Sequence, residues 1–159
     1  MTASGSGSDG RVDDMHAPLV VLALFLPVAG SATPPTDVLA QWDRAREAAF
    51  AAADPTGLRA LYVPGSSAAS SDVSLLRDYV ARDLKVWLRT QRFSVRTLRS
   101  GDDMVRLRVT DRVLSAVGDG VRCRALPASR TATRDVRLTR LEGRWVVESV
   151  SEAPRRGSR

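Results

Sequence analysis

Histidine, cysteine and lysine are almost absent from this chain of 159 residues, which contains one of each. The single histidine, His16, precedes the part of the sequence that has the pattern of a folded domain. That part therefore cannot supply a Ser-His-Asp or Cys-His catalytic system, and it lacks the commonest zinc ligand. These absences exclude the common nucleophilic and zinc centres, and we expect neither a metal nor a cofactor.

Aromatic residues are also scarce, at 5% of the chain, so the core must rest on valine, leucine and alanine. The hydrophobic fraction of 43% and the charged fraction of 26% are ordinary for a globular protein. The formal net charge is +6, and all but Lys85 of the 24 basic residues are arginine. A basic surface favours anionic partners over basic ones.

The first 32 residues have no pattern of a folded domain. Residues 1–14 are small and polar, which predicts disorder, and the apolar run 17–29 is shorter than the roughly 20 residues that span a bilayer. Its length suits a signal peptide, with small residues at 30–32 for cleavage. Acidic residues before such a run are atypical, although initiation at Met15 would remove them. We expect an extracytoplasmic protein, secreted or in the cell envelope, while cleavage, an uncleaved membrane anchor and a buried apolar strand stay open.

Helical periodicity follows this segment. Thr36 can cap a first helix whose apolar positions step by three and four: Val38, Trp42, Ala45, Ala49 and Ala52. Asp54 and Pro55 predict the start of a short second helix. After a loop of small residues, Ser71 or Asp72 predicts a third helix that presents one apolar face, with Val73, Leu76, Val80 and Leu84.

Beyond that helix the apolar period changes to two. Phe93 and Val95 begin the alternation, and Val105, Leu107 and Val109 continue it with arginines between them. This pattern is typical of antiparallel strands that are buried on one face. Helices followed by such strands predict an α+β domain over residues 33–153, with a disordered tail at 154–159.

The order of these elements resembles the nuclear transport factor 2-like, or ketosteroid isomerase-like, superfamily. The matching segments, within 37–150, are the first helix with Trp42, the break AAADPTGLRALY, the strand VRLRVTD and the closing VRLTRLEGRWVVESV. More narrowly, the chain resembles small exported bacterial members. The resemblance implies a cone in which a curved antiparallel sheet wraps around the N-terminal helices and leaves a pocket at its open end. It implies no single function, since the scaffold serves enzymes, ligand binders and interaction modules.

The residues that enzymes of the superfamily use are missing. Without histidine the domain has no Asp-His pair of the dehydratase-like kind, and the first helix offers Trp42 and Phe50 where isomerase-like members place a tyrosine. We assign no catalytic residue and interpret the chain as a non-catalytic extracytoplasmic domain that binds a small apolar ligand or an envelope protein. The alternative is an isomerase- or dehydratase-like enzyme, and a homodimer is left open.

Six residues are candidates for the lining of the pocket: Trp42, Tyr62, Tyr79, Trp87, Asp111 and Arg134. Core packing is the competing role for the aromatic residues. Asp111 shares the inward face of Val109, where a lone carboxylate is costly. Antiparallel pairing with Val109 opposite Val136 would place Asp111 opposite Arg134. That pair either fixes the strand register or orients a bound polar group and an anion.

The strand arginines, Arg106, Arg108, Arg112 and Arg137, could contact phosphates, but no aromatic residue lies between them to stack bases. We therefore expect no nucleic acid, a solvated outer face and at most weak contact with an anionic envelope surface. For Cys123 we favour an inert buried residue over a reactive thiol.

The Glu-Gly turn at 142–143 allows two hairpin registers. We expect the two-residue loop, which buries Trp145 on the face of Leu138 and sets Arg137 opposite Glu148. The cost of a positive φ in the turn is smaller than the gain from burying a tryptophan.

Overall fold

A computed structural model describes residues 33–119 and 121–154. The helices are α1 (Pro35–Ala51), α2 (Pro55–Arg59) and α3 (Ser67–Val80). The strands are β1 (Lys85–Ser100), β2 (Met104–Gly118), β3 (Cys123–Ala125), β4 (Ala132–Leu141) and β5 (Arg144–Glu152). The predictions about residues 1–32 and about the end of the tail concern residues outside the described ones. No helix in the described part of the chain is long and apolar enough to cross a membrane.

Helix α1 begins at Pro35, one residue before the predicted cap, because proline is well suited to the first helical turn. Its buried face is rotated from the predicted one. Ala45 and Ala52 are exposed, whereas Leu39 and Phe50 are fully buried. The larger side chains bury more apolar area than alanines, so they determine which face turns inward.

The predicted start of helix α2 is confirmed. The Asp54 carboxylate caps the helix by accepting hydrogen bonds from the backbone N–H groups of Thr56 and Gly57 at 3.0 and 2.9 Å. Helix α3 begins at Ser67, earlier than predicted. Two serines inside its first turns, Ser70 and Ser71, donate hydrogen bonds to the backbone carbonyls four residues before them, which makes serine compatible with the helix. The helix ends at Val80, which is 47% exposed and not on the buried face as predicted.

The five strands form one antiparallel sheet in the order β1-β2-β4-β5, with β3 pairing the end of β2. Val105, Leu107 and Val109 are buried on its inner face, as the alternation predicts. The alternation predicts that Phe93 lies on the buried face of its strand together with Val95, and this prediction is wrong. A bulge between Arg92 and Ser94 leaves Phe93 unpaired and 52% exposed, with a guanidinium over its ring.

The last hairpin has the expected two-residue loop, and both of its residues have positive φ. Trp145 lies opposite Arg140 and packs against the core, but it is only half-buried. The expected contact between Arg137 and Glu148 is present at 3.0 Å, although a bulge makes Ser149 the strand partner of Arg137.

The core lies between the three helices and the inner face of the curved sheet. It is built from fully buried residues of both layers, chiefly Leu39, Phe50, Leu58 and Leu76 from the helices and Leu107, Val109, Leu138 and Val147 from the strands. The segment before α3 covers the edge of β5, because Leu61 and Val63 exchange backbone hydrogen bonds with Val147. The α+β prediction is confirmed.

Candidate ligand pocket

A cavity of about 360 Å³ lies between helices α1 and α3 and the inner face of the sheet. Apolar side chains contribute part of its wall: Leu39, Trp42, Val113, Val136 and Val150. Val150 is 39% exposed, so this side of the cavity reaches solvent. The rest of the wall is polar and charged, which a ligand must match.

Four of the six predicted residues line this cavity: Trp42, Tyr62, Asp111 and Arg134. Tyr79 does not, because it packs against the core with the Arg82 guanidinium 4.8 Å from its ring centre. Trp87 does not either. It is 39% exposed in β1 opposite Ala116, while its neighbour Val86 turns into the core. Alternation along the strand therefore places Trp87 on the outer face.

Asp111 is bound by two arginines at once. One carboxylate oxygen accepts a hydrogen bond from Arg92 Nη1 at 3.0 Å, and the other accepts one from Arg134 Nη1. The predicted contact between Asp111 and Arg134 is thus present, but the predicted register is wrong by two residues. Val109, not Asp111, lies opposite Arg134, so the contact is diagonal. The long arginine side chain can reach a diagonal neighbour, which is why the contact does not fix the register.

Arg92 joins Asp111 to a second buried carboxylate, Asp43 of α1. Its Nε and Nη2 donate to the two Asp43 oxygens at 2.6 and 2.5 Å. All three nitrogens of Arg92 are therefore engaged. Burial raises the pKa of Asp43 above its usual value, even though Arg92 acts to lower it.

A second ion pair closes the other side of the cavity. Arg46 donates from Nε and Nη2 to both oxygens of Asp72 at 2.5 and 2.8 Å, and the Tyr62 hydroxyl donates to the same carboxylate. Burial and the negative charge of Asp72 raise the pKa of Tyr62. Burial alone would lower the pKa of Arg46, but the hydrogen bond and attraction to Asp72 raise it. The Tyr62 proton is thus committed to Asp72 and is not free to bind a ligand.

Trp42 is held against Tyr62, edge to face, with ring centres 5.4 Å apart. Its indole N–H donates to the Leu61 carbonyl at 2.9 Å. Both aromatic polar groups are therefore satisfied within the protein, so these rings offer a ligand mainly apolar surface.

Arg134 differs from the other arginines of the cavity. It donates to Asp111 through Nη1, and its Nε and Nη2 form no hydrogen bond with any residue that the structure describes. Its side chain is 31% exposed. Among the described residues, no group of three potential ligands could hold a metal ion. Arg134 thus offers two donor nitrogens to a polar group in this cavity, and it is more exposed than Arg46 and Arg92, whose side chains are 13% and 18% exposed.

Comparison with known proteins identifies the fold. No protein-family model and no curated protein matches the chain. Among solved structures, Aln2 from a Streptomyces species aligns with a TM-score of 0.52 at 15% identity, over 76% of this chain and 92% of that one. ActVI-ORFA from Streptomyces coelicolor aligns with a TM-score of 0.51 at 14% identity, over 74% and 95%. An NTF-2 like protein of unknown function from Shewanella oneidensis aligns with a TM-score of 0.49 at 15% identity, over 73% and 96%.

The fold is nuclear transport factor 2-like. The resemblance drawn from the sequence is therefore confirmed as far as the fold is concerned. Identities of this size establish a common fold and carry no activity from one protein to another, since this fold hosts unrelated functions. Function must therefore be argued from the cavity itself.

Four charged residues that line this cavity were not among the predicted lining residues: Asp43, Arg46, Asp72 and Arg92. A signal for Arg46 existed, since it lies four residues after Trp42 on the same face of the first helix, and Asp43 lies three residues before Arg46. No local signal existed for Arg92, which turns inward opposite Asp111 next to the bulge in β1.

Cys123 lies in the short strand β3 and is exposed, so the expectation of a buried cysteine is wrong. Within the described part of the chain this strand pairs only with the end of β2, and none of its three residues is buried. Cys123 is not part of the cavity wall.

Proposed function

We propose that the protein binds a small amphipathic molecule in the cavity, without catalysis, and that it does so outside the cytoplasm. The observation that carries the proposal is the wall of the cavity. Three carboxylates are already neutralised by arginines, apolar side chains cover much of the rest, and Arg134 keeps two nitrogens, Nε and Nη2, without a hydrogen bond to any described residue.

The size of the cavity supports a small ligand over a protein partner. A volume of about 360 Å³ is at the lower end of the range for ligand sites. A domain that only contacted an envelope protein would not need this interior space. The apolar body of the ligand would lie against Trp42 and Val136, with a carboxylate, sulfonate or carbonyl group toward Arg134.

Titration with the dye 8-anilinonaphthalene-1-sulfonate tests the binding proposal, because this probe joins an apolar body to one anionic group. We expect saturable fluorescence enhancement that Arg134→Gln weakens and that Val113→Trp, which fills the cavity, abolishes. Arg144→Gln, an exposed change in β5, is the matched control and should leave binding unchanged. Equal binding by all four proteins would contradict the proposal.

The extracytoplasmic location rests on the signal-like segment in residues 1–32. N-terminal sequencing of protein from the culture supernatant or envelope fraction is the test. We expect the mature protein to begin after Ala32. An intact Arg11 on a cytosolic protein would contradict this part of the proposal.

An acid–base enzyme is the second candidate, and one observation favours it. The environments of Asp43 and Asp111 differ, since burial raises the pKa of Asp43 while Asp111 accepts hydrogen bonds from two arginines. Such pairs can divide acid and base roles between two carboxyl groups. Against this, both Asp43 oxygens are bound by Arg92.

Assays with a β,γ-unsaturated ketone and a β-hydroxy carbonyl compound separate the two candidates, because they report isomerisation and dehydration. The binding proposal predicts no turnover above the uncatalysed rate. Turnover that Asp43→Asn removes, with dye binding intact, would establish the enzyme instead.

A further inference from the structure

The outer face of the sheet carries a row of arginines that the cavity does not use. Arg99 of β1 lies opposite Arg106 of β2, and Arg106 lies opposite Arg137 of β4. Ser149 of β5 continues the row as the partner of Arg137. These four residues, with Met104, Asp135 and Ser151, surround a second hollow of about 280 Å³.

The placement of like charges directly opposite one another is unfavourable in a sheet. Carboxylates offset part of that cost. Asp135 accepts hydrogen bonds from Arg106 at 2.9 Å and from Arg108 at 2.8 Å, and Glu148 pairs with Arg137 at 3.0 Å. The hydrogen bond from Arg108, together with Arg106, lowers the pKa of Asp135, so this carboxylate stays ionised.

The carboxylates do not neutralise the group. Among the described residues, Arg106, Arg108 and Arg137 form ion pairs only with Asp135 and Glu148, and Arg99 forms none. These four arginines thus exceed their two carboxylates by two positive charges. No carboxylate of the described residues lies within ion-pair distance of Arg99, including the two aspartates of the neighbouring turn. The planar guanidinium of Arg99 therefore keeps its donors available beside the hollow.

We propose that this hollow is a binding site for a phosphate group, either free on a small molecule or on a lipid headgroup. A phosphate monoester carries a charge of about −1.5 to −2 at neutral pH, which matches the excess of two positive charges. A guanidinium group can donate two parallel hydrogen bonds to two oxygens of one phosphate. The exposed hydroxyls of Ser149 and Ser151 add further donors on the side of the hollow that β5 forms. The same charge opposes association of two copies of the chain through this part of the sheet.

This site is on the opposite face from the cavity, so it stands independently of the proposed function. NMR titration of the protein with inorganic phosphate, at constant ionic strength with chloride as the replaced anion, is the experiment. We expect shifts confined to backbone amides near Arg99, Arg106, Arg137 and Ser149.

The variant Arg99→Gln removes the arginine that forms no ion pair with the described residues, and Arg89→Gln is the matched control in the same strand. Arg89 is exposed and lies opposite Leu114, away from the hollow. We expect Arg99→Gln to weaken phosphate binding about fivefold, the change that 1 kcal/mol produces, and Arg89→Gln to leave it unchanged. Equal weakening by both, or shifts spread over all exposed arginines, would overturn the proposal, because either result means unspecific attraction.

Sedimentation with vesicles that contain phosphatidic acid, a lipid whose headgroup is a phosphate monoester, distinguishes the two sources of phosphate. Vesicle binding that Arg99→Gln weakens and Arg89→Gln does not would support the site with a lipid headgroup. Localised phosphate shifts without vesicle binding would support it with a free phosphate-bearing molecule. The proposal would be overturned if the phosphate shifts were not localised and vesicle binding did not depend on Arg99.

Discussion

Replacement of Arg92 by leucine removes the guanidinium that joins Asp43 to Asp111. All three side chains are largely buried, with exposed fractions of 18% for Arg92, 11% for Asp43 and 9% for Asp111. Loss of one partner of a buried ion pair costs about 3–5 kcal/mol, because the other charge is left without compensation. Asp111 keeps Arg134, so most of the effect falls on Asp43. We expect a loss of about 3 kcal/mol in the free energy of unfolding at about pH 7, at the lower end of that range.

The loss of unfolding free energy caused by Arg92→Leu should depend on pH, and its direction follows from the pKa of Asp43. Burial already raises the pKa of Asp43, and without Arg92 that pKa rises further. A carboxyl group whose pKa is raised on folding favours the folded state when it is protonated, and this contribution is lost as the pH rises through the folded pKa. The loss caused by Arg92→Leu should therefore be smaller near pH 4 than near pH 7.

Urea unfolding, followed by far-UV circular dichroism and tryptophan fluorescence at both pH values, measures these differences. Adding Asp43→Asn to Arg92→Leu should recover part of the loss, since no buried charge then remains at that position. Arg89→Leu, an exposed arginine of the same strand, is the control and should change stability by less than about 0.5 kcal/mol. A loss below about 1 kcal/mol for Arg92→Leu, or a larger loss at acid pH, would refute the reasoning.

Three further predictions concern the rest of the sheet. A double-mutant cycle with Asp111→Asn and Arg134→Gln should give a coupling above about 0.5 kcal/mol, whereas additive losses would mean that the diagonal contact does not form in solution. Glu142→Asn should raise the unfolding free energy by about 0.5–1 kcal/mol, because φ is 50° at this position and asparagine tolerates that conformation better than glutamate. A lower unfolding free energy of this variant in calorimetry would contradict the prediction. Trp145→Ala should cost about 1–2 kcal/mol in urea unfolding, less than the 3–5 kcal/mol of a fully buried tryptophan, and a loss in the latter range would mean that the side chain is fully buried.

Several features were predictable because they depend on neighbours in the sequence. Asp54 caps α2 through backbone groups two and three residues away, and the Glu-Gly pair marks the position of the last turn. The alternation of Val105, Leu107 and Val109 places them in the core whatever strand lies beside them. Each of these outcomes follows from local geometry alone.

Other features were decided by distant contacts, and there the sequence prediction failed. The bulge at Phe93 turns that side chain to solvent, and the alternation of apolar residues in β1 does not predict the bulge. The pairing of β2 with β4 is two residues from the predicted register, since the predicted ion pair forms diagonally as well as it would directly across. Cys123 is exposed because no layer of the described residues covers its short strand.

The class of fold and the order of helices and strands could be predicted from the sequence, because the periodicity of apolar residues reports which faces must be buried. The meeting of four charged residues around one cavity depends instead on the packing of separate elements: Asp43 and Arg46 of α1, Asp72 of α3 and Arg92 of β1. Charged residues usually lie in solvent, so their identity gives no sign of burial. Their burial is compensated only when partners from separate elements come within hydrogen-bond distance, and that condition is set by the packing of the whole domain.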